Sequence, residues 1–147
     1  MFQSLIYVSR SLLMMPSQSA EIDQIVAVSA RRNAQLGIRG SLLFTERHFA
    51  QLLEGPRDAV EEVMLSIESD HRHEQVTVIE RRPIDGYRFV GWSLSYWGDA
   101  GYVDAQIGKL LESRAADEVG DLYMLIQRMA QESRKAGSPI GRPSLQP

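Results

Sequence analysis

The chain is predicted to fold as an α+β domain, and three observations carry that prediction. Short period-two runs recur along the first hundred residues, as half-buried strands require. Two longer segments between them carry apolar residues at helical spacing. A tight hairpin, S-L-L-F-T followed by H-F-A-Q-L-L, sits near the middle. The resulting order is strand, helix, strand, strand, helix, strand, strand. Its first six elements match a ferredoxin-like βαββαβ sandwich, extended here by a fifth strand and by two C-terminal helices.

Residues Phe2 to Ser9 alternate Phe2, Ser4, Ile6 and Val8 on one face with Gln3, Leu5, Tyr7 and Ser9 on the other. Apolar groups on both faces predict a strand covered on both sides. A loop over Arg10 to Gln18 follows. Ser19 is then the expected N-cap, with Glu21 and Asp23 in the first turn. The first helix places Ile22, Ile25, Val26, Ser29, Asn33 and Leu36 on one face. Asn is a poor helix former, so Asn33 is read either as a C-terminal cap near Gly37 or as a polar group turned inward.

Gly37 and Gly40 follow a helix and precede a strand, the reverse of a dinucleotide-binding loop, so they predict a helix end and a strand entry. In the second hairpin strand, Phe49, Gln51 and Leu53 share a face. A buried amide left unpaired costs about 1–3 kcal/mol, so Gln51 needs partners there. Gly55-Pro56 opens the second helix, with proline expected at its first position and an apolar stripe of Val60, Val63, Met64 and Ile67. Strands over Gln75 to Arg82 and Phe89 to Trp97 flank a turn at Pro83 to Gly86. On the last strand Trp92, Leu94 and Tyr96 share one face. The C-terminal helices are expected over Tyr102 to Ser113 and Asp117 to about Arg134, covering the sheet face opposite the crossover helices.

Composition narrows the function. A net charge of −3 and no basic stripe argue against nucleic acid. The absence of cysteine removes disulfides, thiolate catalysis and thiolate metal sites, and fits a cytoplasmic location. No run approaches the ~20 apolar residues of a membrane span. Asp70-His71-Arg72-His73 lacks further convergent ligands for a metal site and reads as a turn or an anion-binding element. His48 is expected exposed in the hairpin turn. No nucleophile elbow is present. What remains is a polar set on apolar faces: Tyr7, Ser29, Asn33 and Gln51. If the first helix covers the sheet, these groups converge either as a structural hydrogen-bond cluster or around a flat heteroaromatic ligand.

Five pieces of sequence, in order, carry a resemblance: L-I-Y near the start, N-A-Q-L-G-I-R-G-S-L-L-F, F-A-Q-L-L-E-G, D-H-R-H at Asp70 to His73, and P-I-D-G-Y-R-F-V-G-W-S. Together, over residues 2 to 97, they resemble the BLUF domain, a blue-light sensor that binds FAD. The resemblance implies a photoreceptor rather than an enzyme. Tyr7 would donate an electron and a proton to the excited flavin. Gln51 would bridge Tyr7 and the ring, and return rotated or tautomerised, shifting the spectrum to the red. Asn33 and Arg32 would lie at the ring's polar edge, with Ser29, Ile25, Phe49, Leu53, Ile67 and Leu94 around it. Asp70, Arg72 and His73 would meet its far side or the ribityl and phosphate chain, and Trp92 matches a tryptophan of the last strand. Two departures stand out: Leu94 replaces the methionine usual two residues after that tryptophan, and the loop after Tyr7 is slightly long.

The implied organisation is a flavin-binding domain over residues 1–98, a helical cap over 99–136 and a flexible tail over 137–147. Output would pass to a separate protein partner or through a change of homo-oligomer. The alternatives are a flavin-free interaction module of the same fold and, ranked last, a small flavin enzyme.

Overall fold

The computed structural model describes residues 1–98, 101–113 and 120–128. Its elements are β1 (Phe2–Ser11), α1 (Ser19–Leu36), β2 (Arg39–Phe44), β3 (His48–Pro56), α2 (Arg57–Glu68), β4 (His73–Ile84), β5 (Trp92–Trp97) and α3 (Gly101–Ser113). Residues 120–128 are also helical. The strands form one sheet in the order β4-β1-β3-β2-β5. Adjacent strands are antiparallel except β2 and β5, which run parallel. The first four strands thus keep the ferredoxin-like order, and β5 extends the edge beside β2.

The expected α+β class and element order hold, and the boundaries shift for local reasons. Ser19 is the first residue of α1 rather than its cap; Gln18 precedes the helix, and no side chain caps it. Pro56 is the last residue of β3 and stands just before α2, not inside it. β5 begins at Trp92, three residues later than the alternation suggested, because Phe89 is buried from a loop. A register shift between Leu42 and Leu43 moves the β5 pairing from Leu94 to Tyr96, so strict alternation ends at Leu94. The second C-terminal helix is described only over residues 120–128. The rest of that expected helix, and the tail, lie outside the described residues.

Two glycines shape the path from α1 into the sheet. Gly37 has a φ of 73°, and the N–H groups of Gly37 and Ile38 bond the carbonyls of Ala34 and Asn33. This Schellman arrangement ends the helix with backbone groups alone, leaving the Asn33 side chain out of the cap. Gly40 has a φ of 141°, and a Cβ there would lie 1.9 Å from the Leu52 carbonyl oxygen. Only glycine fits at that crossing.

The sheet is packed on both faces. On one face Leu5, Tyr7 and Leu53 of the sheet meet Val60, Val63 and Met64 of α2, and Leu42, Phe44, Phe49 and Leu94 meet Ile22 of α1. On the other face Ile6, Val8, Leu43, Leu52 and Phe89 meet Ile107 and Leu110 of α3 and Leu122 and Ile126 beyond it. The two-sided apolar character of β1 follows directly from its central place in this stack.

Candidate functional site: a cleft between two helices

α1, α2 and the sheet enclose a cleft with about 570 Å³ of empty space, open mouth included. Its wall includes Tyr7, Gln51 and Phe49 from the sheet, Ile25, Ser29 and Arg32 from α1, and Ile67 from α2. Asp70, Arg72 and His73 complete it at the entry to β4. These ten residues were all expected there. Val28, Leu42 and Ser66 also line it and were not. Leu42 was within reach of the sequence, because the short hairpin sets it opposite Gln51.

Four expected contacts stand elsewhere. Leu53 shares a face with Gln51 but packs into the core beneath α2. Leu94 packs with Ile22, Leu42 and Phe44 beneath α1. Asn33 is fully buried and is not part of the wall. Trp92 lies outside the wall and instead reaches Gln51.

At the floor, β1 and β3 pair Tyr7 directly with Gln51. Gln51 Nε2 donates to the Tyr7 hydroxyl oxygen at 2.7 Å, and Trp92 Nε1 donates to Gln51 Oε1 at 2.9 Å. The order follows from chemistry. An indole N–H can only donate, so the amide must present its oxygen to Trp92 and its nitrogen to Tyr7. Turning the amide over would set two donors against each other at Trp92. The amide's sense and the indole's position are therefore coupled. The need for a partner at Gln51, read from the strand pattern, is met by this chain.

Burial pushes the Tyr7 hydroxyl well above a tyrosine's ordinary pKa, and the Gln51 hydrogen bond and the Arg32 charge offset only part of that. Tyr7 therefore keeps its proton at neutral pH. Burial likewise holds the Arg32 guanidinium below its ordinary value. At the cleft's far end Arg72 donates to both Asp70 oxygens, Nε at 2.9 Å and Nη2 at 2.7 Å, and reaches Glu21 at 3.5 Å. Burial alone would raise the Asp70 carboxyl, but the Arg72 bonds outweigh it and hold the group below the usual range. Arg72 is thereby engaged within the protein. His73 is fixed as well: its Nε2 is 2.6 Å from the Ile67 carbonyl, and its Nδ1 is 2.8 Å from Ser9 Oγ. A carbonyl only accepts, so Nε2 carries a hydrogen, and in the neutral ring Ser9 donates to Nδ1. Ser9 was missed in the sequence, since a serine at a strand end carries no signal of its own.

The donor inventory tests what the cleft fits. Asn33 Oδ1 accepts from Arg32 Nε at 3.3 Å, but Asn33 Nδ2 is buried without a partner. Unmet amide donors of this kind suit a flat ligand with acceptor atoms along one edge. The isoalloxazine ring of a flavin is such a ligand.

Residues 2–95 match the family model BLUF, sensors of blue-light using FAD. The chain belongs to the BLUF family. It is 36% identical over 93 residues to photoactivated adenylate cyclase subunit beta of Euglena longa, covering 63% of this chain and 11% of that protein. It is 40% identical over 73 residues to the blue light- and temperature-regulated antirepressor BluF of Escherichia coli K12, covering 50% of this chain and 18% of that one. Among solved structures, the dark state of the BLUF protein BlrB superposes with a TM-score of 0.67 at 33% identity, covering 90% of this chain and 96% of that one. The chain thus spans only 11% and 9% of the first two curated relatives. What it shares with them is the BLUF sensor module, a flavin-based detector of blue light rather than a catalytic unit. No helix among the described residues of this BLUF chain is long and apolar enough to cross a membrane.

Proposed function

We propose that this BLUF chain holds FAD non-covalently in the α1–α2 cleft and reports blue light through the Tyr7–Gln51–Trp92 chain. The observation that carries the reading is the single bridging amide between a phenol and a donor-only indole. When bound, the flavin supplies light absorption and, once excited, a site of electron uptake. The protein's part is to place and ready its own groups. Tyr7 retains its hydroxyl hydrogen, so an electron and a proton are available together from one residue. Gln51 has two nearly isosteric ends of opposite hydrogen-bonding sense, so it can settle in a second arrangement of the same volume once Trp92 shifts. Asn33 and Arg32 would hold the ring's polar edge, with Ile25, Ser29, Phe49 and Ile67 around it. That the flavin is FAD rests on the family, sensors of blue-light using FAD.

A bonded amide has two discrete states, and a difference of a few kcal/mol between them suffices for a switch. Displacement of Trp92, the first residue of β5, would carry the change to the edge of the sheet and to the helices on its far face. Output then passes to a separate protein partner or through a change in homo-oligomeric state, and the chain works in the cytoplasm. On this reading residues 1–98 form the sensing unit and the later helices its cap.

The test is an absorption spectrum of the purified protein before and after blue light, followed in the dark. A flavin band that moves slightly to the red and recovers is expected. Gln51→Leu should keep the flavin and lose the shift. A normal reversible shift in that variant would overturn the role of the amide. No flavin uptake by the wild-type chain would leave the cluster as an ordinary buried hydrogen-bond network in an interaction module.

A further inference from the structure

Glu54 follows Gln51 by three residues on β3, so the two side chains leave opposite faces of the sheet. Glu54 is paired in register with Ser4 and with Arg39, and its side chain has no exposed surface. A carboxylate buried that deeply requires several donors. Its Oε1 accepts the backbone N–H groups of Arg88 and Phe89, both at 2.6 Å, and its Oε2 faces Arg88 Nε at 3.3 Å. All three donors come from the segment between β4 and β5.

That segment has further anchors. Arg39 donates to the Phe89 carbonyl at 3.1 Å, and the Gly40 N–H bonds the Gly91 carbonyl at 2.9 Å. Arg88 also donates to Ser4 Oγ at 2.8 Å and lies over the Tyr123 ring at 4.8 Å. Only Val90 and Gly91 separate Phe89 from Trp92, and Val90 is largely exposed. Three Cα–Cα steps span at most ~11 Å, so the place of the Phe89 backbone limits the place of Trp92. β3 therefore grips both ends of one short path: Glu54 holds the loop, and Gln51 receives the indole.

We infer that Glu54 is a positioning residue for the photoactive chain. Its carboxylate, through the Arg88 and Phe89 N–H groups, sets the position of Trp92 and with it the sense in which the Gln51 amide is held in the dark. The inference rests on the reading of Tyr7, Gln51 and Trp92 given above. It assigns the buried glutamate a role separate from support of the fold, because the indole it positions is what orients the amide.

The experiment is hydrogen exchange of the Trp92 indole N–H in the dark, followed by NMR and assigned with Trp92→Phe. Glu54→Asp leaves the carboxylate one methylene short of its two N–H donors. The indole should then exchange about tenfold faster or more, while slow amides of β1 and β3 change by a smaller factor. Glu54→Gln keeps an oxygen for the two N–H groups and should leave the indole within about threefold of wild type. Wild-type protection in Glu54→Asp would overturn the inference, and so would one uniform loss across all slow amides, which marks a purely structural role. Should Glu54→Asp fail to fold, Glu54→Gln decides alone: the Arg88 and Phe89 amides and the Trp92 indole must keep or lose protection together, and independent behaviour overturns the inference. The readout is taken in the dark and needs no red shift, so failure of the photoreceptor reading would register separately, in the light-minus-dark spectrum.

Discussion

The two faces of the sheet treat buried polar groups in opposite ways. On the α3 face they are mostly closed within the protein. Glu54 takes Arg88 and two backbone N–H groups, Ser41 pairs with Ser95, and Thr45 and His48 both bond Asp104. Gln106 Oε1 is the exception there. On the α1–α2 face Tyr7, Ser29, Arg32 and Gln51 line a cleft, and Asn33, buried outside its wall, has Nδ2 unmatched. A face whose polar groups are matched internally serves stability. A face with donors left over is shaped for something the chain does not itself supply. Glu54 apart, substitutions on the first face should therefore cost folding free energy and spare the spectrum, whereas those on the second should alter the spectrum or the flavin affinity.

The largest stability loss is expected on the closed face. Ile107→Ala removes a fully buried α3 side chain and should cost about 2–5 kcal/mol in urea unfolding, with the flavin band unmoved. Tyr7→Phe tests the other face. It strips the acceptor from Gln51 Nε2, should cost about 1–3 kcal/mol, and should abolish the normal photocycle in light-minus-dark spectra. Asn33→Leu sharpens the contrast further. It removes an amide whose nitrogen bonds nothing in the protein, so unfolding without flavin should change by under about 1 kcal/mol. FAD affinity, read by flavin fluorescence titration, should fall about tenfold.

Asp70→Asn should be smallest at neutral pH, under about 1 kcal/mol, because the Asp70–Arg72 pair is partly exposed. Its signature is in pH dependence. A carboxylate held below its unfolded value stabilises the fold above that value, near 4, and the contribution is lost as pH falls through the folded value. Asp70→Asn should flatten the acid limb of a stability-against-pH curve there, and an unchanged limb would remove Asp70 from the site's electrostatics.

Much of this architecture was legible in order along the chain. Period-two runs located the strands, and the odd glutamine between Phe49 and Leu53 marked the floor of the site. Other features were not legible for definable reasons. The expected exposure of His48 is corrected by the structure: its side chain is 16% exposed and its Nδ1 lies 2.9 Å from Asp104. His48 is the first residue of β3, and its burial depends on a helix more than fifty positions away. Phe89 belongs to the core although it lies outside any strand, because α3 and the helix beyond it supply the apolar surface it packs on. Leu53 follows the alternation that places Gln51, yet it falls under α2 rather than into the cleft, since helix placement decides which part of one face stays open.

The sequence by itself determined the α+β class, the helix face shared by Ser29 and Asn33, the strand face that carries Gln51 with Phe49 and Leu53, and the family. These depend on local periodicity and on residue types at set spacings. Only the tertiary structure decided that Trp92 donates to Gln51, that Glu54 holds the loop before Trp92, and that Arg72 is committed to Asp70 and Glu21. Each of those depends on donors and acceptors brought together from distant strands and loops. A hydrogen bond forms only within about 3 Å and a narrow range of angles. Side-chain periodicity says which face a group leaves from, and only packing says what it meets.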